Sequence, residues 1–254
     1  MSGFLMKYEI VQRYLTAPSL RRPGLLADPI RFMVAHDTGN PGSTAAGNVY
    51  YYENSRNAME ASAQIFVDDK QILECIPFLT GTPEKAWHVV YNVSTDNAMF
   101  GVDANDAAGG VELCYGDNID PVEAYKRYIW VLAYSCWKFG LDPTIHITGH
   151  FILDPARKVD PMNAFTLMGK SFNDFIIDVV NEYNECVEEA EMREELEALK
   201  KEVEELKAKN SMPAPEWAKE ATAAAVKSGL VDSPDGASYD FYRLITVIHR
   251  KGLI

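Results

Sequence analysis

Up to about Asn181 the sequence alternates short apolar runs with helix-like stretches, and that alternation restricts the chain to a mixed α/β architecture. Arg31-Phe32-Met33-Val34-Ala35 reads as a buried strand that delivers His36 and Asp37 at its C-terminal end, where folds of this class usually carry their chemistry. Ser43-Thr44 can cap a helix running to about Asn57. Ala63-Gln64-Ile65-Phe66-Val67 and Gln71-Ile72-Leu73-Glu74-Cys75-Ile76 flank Asp68-Asp69-Lys70 as a hairpin. Gly109-Gly110-Val111-Glu112-Leu113-Cys114-Tyr115 reads as a third strand, and Pro121 to Phe139 as a helix closed by a C′ glycine, Gly140. The expected fold is a mixed central β-sheet flanked by helices.

Beyond this domain the pattern changes. A helical stretch beginning near Ser171 turns into a heptad in which Met192, Leu196, Leu199, Val203 and Leu206 fall at alternating four- and three-residue steps. So short a coiled coil is marginal alone, so it is expected to pair with a second chain or to pack back on the domain. Ser211-Met212-Pro213-Ala214-Pro215 breaks the helix, and Glu216 to Ile254 forms a small helical unit around the turn Ser233-Pro234-Asp235-Gly236. The expected division is therefore residues 1–180, 181–211 and 212–254.

The formal net charge of -13 argues against a nucleic-acid binder and against a protein held to anionic lipid, since both need a basic patch. Much of that acidity lies between Glu182 and Glu205, so the preceding part is only mildly acidic and could bind a wall polymer. No apolar run is long enough to span a membrane, and the N-terminus lacks the basic start and long apolar core of an export signal. Synthesis in the cytoplasm is the expectation. Cys75, Cys114, Cys136 and Cys186 are far apart, with no Cys-x-x-Cys pair, and are expected to be free buried thiols.

Three short segments concentrate the residue types of a metal hydrolase: His36 after its strand, Glu112 within its strand, and His150 followed by Lys158 and Asp160. Two neutral imidazoles and a carboxylate would leave zinc a fourth, open position for water, the arrangement of a catalytic site. Glu112 alternates with apolar neighbours in a strand, which is costly unless the acid has a partner or a task. His150 and Asp160 share no helix face, so Phe151 to Val159 must loop out and return, which Pro155 and Pro161 favour. The residues alone leave other readings open. His146 and His150 could chelate as His-x-x-x-His if they lay on a helix, although Thr144 to Thr148 looks β-prone; Lys158 could be a solvated loop charge and Glu112 an ion-pair partner.

Five ordered blocks between about residues 25 and 170 resemble the zinc-dependent N-acetylmuramoyl-L-alanine amidase family of phage endolysins and autolysins, to which peptidoglycan recognition proteins are related. They are Val34-Ala35-His36-Asp37-Thr38, Ala61-Ser62-Ala63-Gln64-Ile65-Phe66-Val67-Asp68, Ala86-Trp87-His88, Gly110-Val111-Glu112-Leu113-Cys114, and Thr148-Gly149-His150 through Arg157-Lys158-Val159-Asp160-Pro161. The resemblance implies zinc held by His36, His150 and Asp160, with Glu112 and Lys158 in catalysis and the substrate peptidoglycan. It places Trp87 and His88 along the cleft, where a substrate contact for His88 competes with core packing, and makes His146 a structural residue. The family often has histidine where Gln64 stands, so the role of that position stays open. The implied reaction cleaves the amide between N-acetylmuramic acid and L-alanine of the stem peptide; the alternative is a relative that binds peptidoglycan without hydrolysing it. A protein of this kind lacking an export signal fits an endolysin, made in the host cytoplasm and acting on the wall after release.

Pro215-Glu216-Trp217-Ala218, with Ala223 to Val231 and the Asp-Gly turn, resembles part of an S-layer-homology repeat, which binds secondary polymers of Gram-positive walls. A plain helical packing unit is the competing reading of residues 212–254.

Overall fold

The computed structural model describes residues 3–91, 93–233 and 235–254, so Pro234 of the expected turn lies outside the described residues. The chain divides into two compact units, Met1–Ala190 and Glu191–Ile254. The boundary expected near residue 180 falls inside a single helix that continues to Asn210.

The first unit is built on a six-stranded sheet. Its strands are β1 (Ile10–Gln12), β2 (Phe32–Asp37), β3 (Ile65–Val67), β4 (Ile72–Glu74), β5 (Ala108–Leu113) and β6 (Ile147–Gly149), in the order β1-β4-β3-β5-β2-β6. The β3–β4 hairpin is antiparallel and every other pairing is parallel, so the sheet is mixed. β2 and β5 are fully paired in the middle, and their register sets His36 opposite Glu112. Every residue of β2 is buried, as expected of a parallel strand covered on both faces.

Helices α1 (Ala45–Asn54), α2 (Thr95–Phe100), α3 (Ala104–Ala107), α4 (Pro121–Phe139), α5 (His150–Leu153), α6 (Met162–Leu167) and the first part of α7 (Phe172–Asn210) complete the unit. Thr44 caps α1 by accepting a hydrogen bond from the Gly47 amide. Asp120 caps α4 through the Val122 and Glu123 amides, and Gly140 ends it in the left-handed conformation at φ 67°. The buried face of α4 carries Tyr128, Val131, Leu132 and Cys136 into the main core. Burying each of the aliphatic side chains there stabilises the fold by about 1.5–3 kcal/mol. Tyr128 also reaches the sheet: its Oη lies 3.0 Å from the His36 carbonyl oxygen and 3.3 Å from that of Val111, bracing the ends of β2 and β5. All four cysteines are free and buried.

In the second unit a 3-10 turn (Glu216–Ala218) leads into α8 (Lys219–Lys227), and α9 (Tyr239–Arg250) follows, capped by Ser238. Its core is small, Ala221, Ala225 and Ile245, with Val231, Phe241 and Ile254 against it. The Tyr242 hydroxyl donates to the Met212 carbonyl, tying α9 to the segment that follows α7.

Candidate functional site

The parallel pairing of β2 with β5 and β6 brings three sequence-distant segments to one end of the sheet. His36 is the fifth residue of β2, Glu112 faces it from β5, and β6 ends at Gly149, so His150 opens α5 beside them. The loop after α5 turns back: the Phe151 amide donates to the Asp160 carbonyl at 3.0 Å, and the Arg157 and Lys158 amides both donate to the Asp154 carbonyl. This closure answers how residues ten apart meet. Asp160 Oδ2 lies 2.9 Å from His36 Nδ1 and 3.0 Å from His150 Nδ1.

His36 Nδ1, His150 Nδ1 and Asp160 Oδ2 form the metal-capable group, with ligand atoms within 4.8 Å of one another. Burial pushes the His36 pKa down to about 4, against the hydrogen bond to Asp160 that raises it, so its ring is neutral at pH 7, as a metal ligand must be. Burial alone would raise Asp160, but hydrogen bonds from His150 and His36 outweigh it and hold the carboxyl well below the usual range. Two nitrogens and an ionised oxygen, largely shielded from water, are the donor chemistry of a catalytic zinc site.

Glu112 is different in kind. Burial, then the charges of Asp160 and Asp37, push its carboxyl well above the ordinary value, while Lys158 opposes the shift. Glu112 Oε2 is buried without a hydrogen-bond partner among the described residues. A desolvated carboxyl beside a metal-capable trio is suited to accepting and returning a proton. Lys158 lines the same cleft, whose volume is about 510 Å³ and whose walls include Trp87, His88, Tyr91 and Asn163. Asp37, whose charge acts on Glu112, is itself held in place: its carboxylate accepts from the Gly39 and Ala164 amides and from Asn163, fastening α6 to the end of β2.

Trp87 is half-buried, its Nε1 donating to the Leu20 carbonyl at 2.9 Å and its ring packing at a tilt of 52° against Tyr91 in the cleft wall. His88 is buried, and its Nδ1 lies 3.1 Å from His36 Nε2, the nitrogen of His36 turned away from Asp160. It lines the cleft and also fixes the orientation of a metal-capable histidine, the kind of outer support that sets ring tautomer and direction. His146 accepts a hydrogen bond from the Asp142 amide in the turn before β6, not on a helix shared with His150. The Gln64 side chain pairs with β5 instead of entering the cleft: its Oε1 accepts from the Gly110 amide at 2.7 Å and its Nε2 donates to the Glu84 carbonyl.

Two residues not singled out by sequence reasoning hold this wall together. Asn105 Oδ1 accepts from the His88 and Val89 amides while its Nδ2 donates to the Val89 carbonyl, clamping the segment. Gly110 leaves room for the imidazole, because a Cβ there would sit 2.8 Å from His88 Cγ. The signal for Gly110 was available, since a glycine inside a strand often marks close approach. Asn105 carried none.

Comparison with known proteins follows this geometry. The family profile described as N-acetylmuramoyl-L-alanine amidase matches residues 26–163, a span containing His36, Glu112, His150, Lys158 and Asp160. The chain is 33% identical over 160 residues to N-acetylmuramoyl-L-alanine amidase BlyA of Bacillus subtilis (strain 168), covering 59% of this chain and 40% of that protein. It is 26% identical to N-acetylmuramoyl-L-alanine amidase CwlL of Bacillus licheniformis, covering 60% of this chain and 42% of that one. The chain thus spans less than half the length of these relatives. Among solved structures it shares the fold of the catalytic domain of XlyA, with a TM-score of 0.54 and 21% identity over 67% of this chain and 99% of that one. The Staphylococcus aureus hydrolase AmiA gives a TM-score of 0.55 with 20% identity, over 70% of this chain and 85% of that one. By the profile match over residues 26–163, which spans β2 to β6 and the site residues, the chain belongs to the N-acetylmuramoyl-L-alanine amidase family.

Proposed function

We propose that this chain hydrolyses the amide between N-acetylmuramic acid and the L-alanine of the peptidoglycan stem peptide, with His36, His150 and Asp160 holding one zinc ion. The observation that carries the reading is the convergence of those three ligand atoms in one cleft with Glu112, whose Oε2 is buried and unpartnered. A complete ligand set together with Glu112 and Lys158 favours hydrolysis over recognition without cleavage. Bound zinc would supply acidified water, lowering its pKa from about 15.7 towards roughly 7, and would polarise the amide carbonyl. Glu112 then takes the proton of the attacking water and returns it to the departing nitrogen, a role that its burial beside the trio and its upward-shifted pKa support. The Lys158 ammonium offsets negative charge developing on the carbonyl oxygen. Trp87 and His88 line the cleft, where the substrate would pass.

The same reading casts the chain as an endolysin, made in the host cytoplasm and acting on the wall after release. Residues 212–254 would hold a secondary wall polymer, and two chains paired through Met192 to Leu206 would present two such units, raising avidity through effective concentration. Zinc analysis and release of amino termini from purified walls test the catalytic part. About one zinc per chain is expected, with near-total loss of release in Glu112→Ala while the metal is retained. Full activity of that variant, or activity that survives a strong chelator, refutes the mechanism. Unchanged binding to isolated walls after removal of residues 211–254 refutes the polymer-binding part.

A further inference from the structure

The second half of α7 carries an apolar stripe that nothing in the described chain covers. Met192, Leu196, Leu199, Val203 and Leu206 are each 46–59% exposed, and together they form one seam along the helix. Five large apolar side chains in a row are not the scattered surface residues of an ordinary soluble protein. Their four- and three-residue steps put Leu196 and Val203 at a positions and Met192, Leu199 and Leu206 at d.

The charges beside the seam specify what covers it. The e positions hold Arg193, Lys200 and Lys207, whereas the g positions beside the seam hold Glu195 and Glu202. In a parallel pair, each g residue meets the e residue of the following heptad on the other helix. Glu195 of one chain then meets Lys200 of the second copy, Glu202 meets Lys207, and the symmetry gives each contact twice. In an antiparallel pair g faces g and e faces e, setting acid against acid and base against base. Among the described residues, Lys200 and Lys207 pair with the exposed Glu197 and Glu204 one turn away, contacts weak enough to give way to contacts between chains. At Val203 the a position is β-branched between leucines at d, Leu199 and Leu206, a layer that favours two strands.

From these charges and this seam we infer that the chain forms a parallel, in-register homodimer through residues 192–206. The inference deepens the pairing part of the proposed function and is independent of the catalytic part. It adds that the segments following Asn210 leave both helices at the same end, so the two copies of residues 212–254 are tethered side by side.

Sedimentation of the full chain over a dilution series tests the pairing. The expected result is a dimer of the 28.4 kDa chain at the concentrated end. A monomer throughout, or a trimer, overturns the inference. In Glu195→Lys/Glu202→Lys, four contacts between chains turn from attraction to repulsion in the parallel arrangement. The dissociation constant should then rise by about a hundredfold at low salt, and adding the Lys200→Glu/Lys207→Glu variant should restore pairing as a mixed dimer. Insensitivity to the glutamate reversals overturns the charge argument. Oxidation fixes the orientation: Leu206→Cys should cross-link to itself in a parallel pair. A cross-link that forms only when Leu206→Cys is mixed with Leu196→Cys, the a position that an antiparallel pair would set opposite it, would show antiparallel chains and overturn the proposal. Circular dichroism of each variant separates lost pairing from lost helix.

Discussion

The two halves of α7 meet the same demand in opposite ways. Before Ala190 the helix buries Phe175, Val179 and Cys186 in the core of the first unit, and Lys7 bridges Glu182 and Glu185 at its edge. After Ala190 an apolar stripe of comparable size stays exposed. Both halves are amphipathic helix, so periodicity alone says only that a face needs covering. What differs is the flank. The first half meets cationic and aromatic groups supplied by its own chain, whereas the second carries a repeating acid-base pattern that complements a copy of itself. One region is closed by its own fold; the other is completed from outside. The candidate site belongs to the closed kind, because His36, His150 and Asp160 are held by one another and by His88 within the first unit.

That contrast can be broken most severely at the site. Asp160 is the point where His36 and His150 converge, so Asp160→Ala should remove the third ligand and open the trio. Zinc should be lost on dialysis and hydrolysis of purified walls should fall by at least about a thousandfold, since the reaction loses both ligand and metal chemistry. Stoichiometric zinc in the dialysed variant would mean that the trio is not the closed unit described. The next effect is on folding: Phe175→Ala empties a fully buried aromatic site and should cost about 3–5 kcal/mol, read as a lower denaturation midpoint. A smaller change sharpens the role of the cleft wall. Gly110→Ala must displace the His88 ring and should cost about 1–3 kcal/mol by overpacking. It should weaken zinc retention as well, because His88 supports His36. Unaltered stability and zinc affinity would show that the ring has room to move.

Legibility followed the range of the forces involved. β2 carrying His36 near its C-terminal end, the β3–β4 hairpin, Glu112 within β5 and the capped α4 were readable because apolar period, turn residues and caps act over a few positions. The short edge strand β1 and the strand order were not, since they follow from pairing between distant segments. Within the site, residue types pointed to a metal hydrolase, but the meeting of Asp160 with His36 across 124 residues depends on parallel pairing that no local pattern encodes. The support of His36 by His88, and the clamp of Asn105 behind it, are likewise products of tertiary packing. Gln64 illustrates the limit from the other side: a position marked by family resemblance turned out to satisfy the backbone of β5.

The smallest expected effect tests the open half of α7. Leu196→Ala removes as many carbon atoms as a core leucine truncation, which typically costs 2–5 kcal/mol because a cavity remains among packed neighbours. At position 196 the isolated chain has no such neighbours to lose, the side chain being half exposed. Alanine is also the better helix former, so in a dilute monomer the substitution should change unfolding by no more than about 0.5 kcal/mol in either direction. The same variant measured at concentrations where the chain pairs should lose stability relative to the parent, because only there is Leu196 buried and only there does association stabilise the folded state. A concentration-dependent penalty distinguishes a face completed by a second copy from a face that is merely exposed. An equal penalty at every dilution would place Leu196 among the closed contacts of the chain itself, and the contrast between the two halves of the helix would disappear.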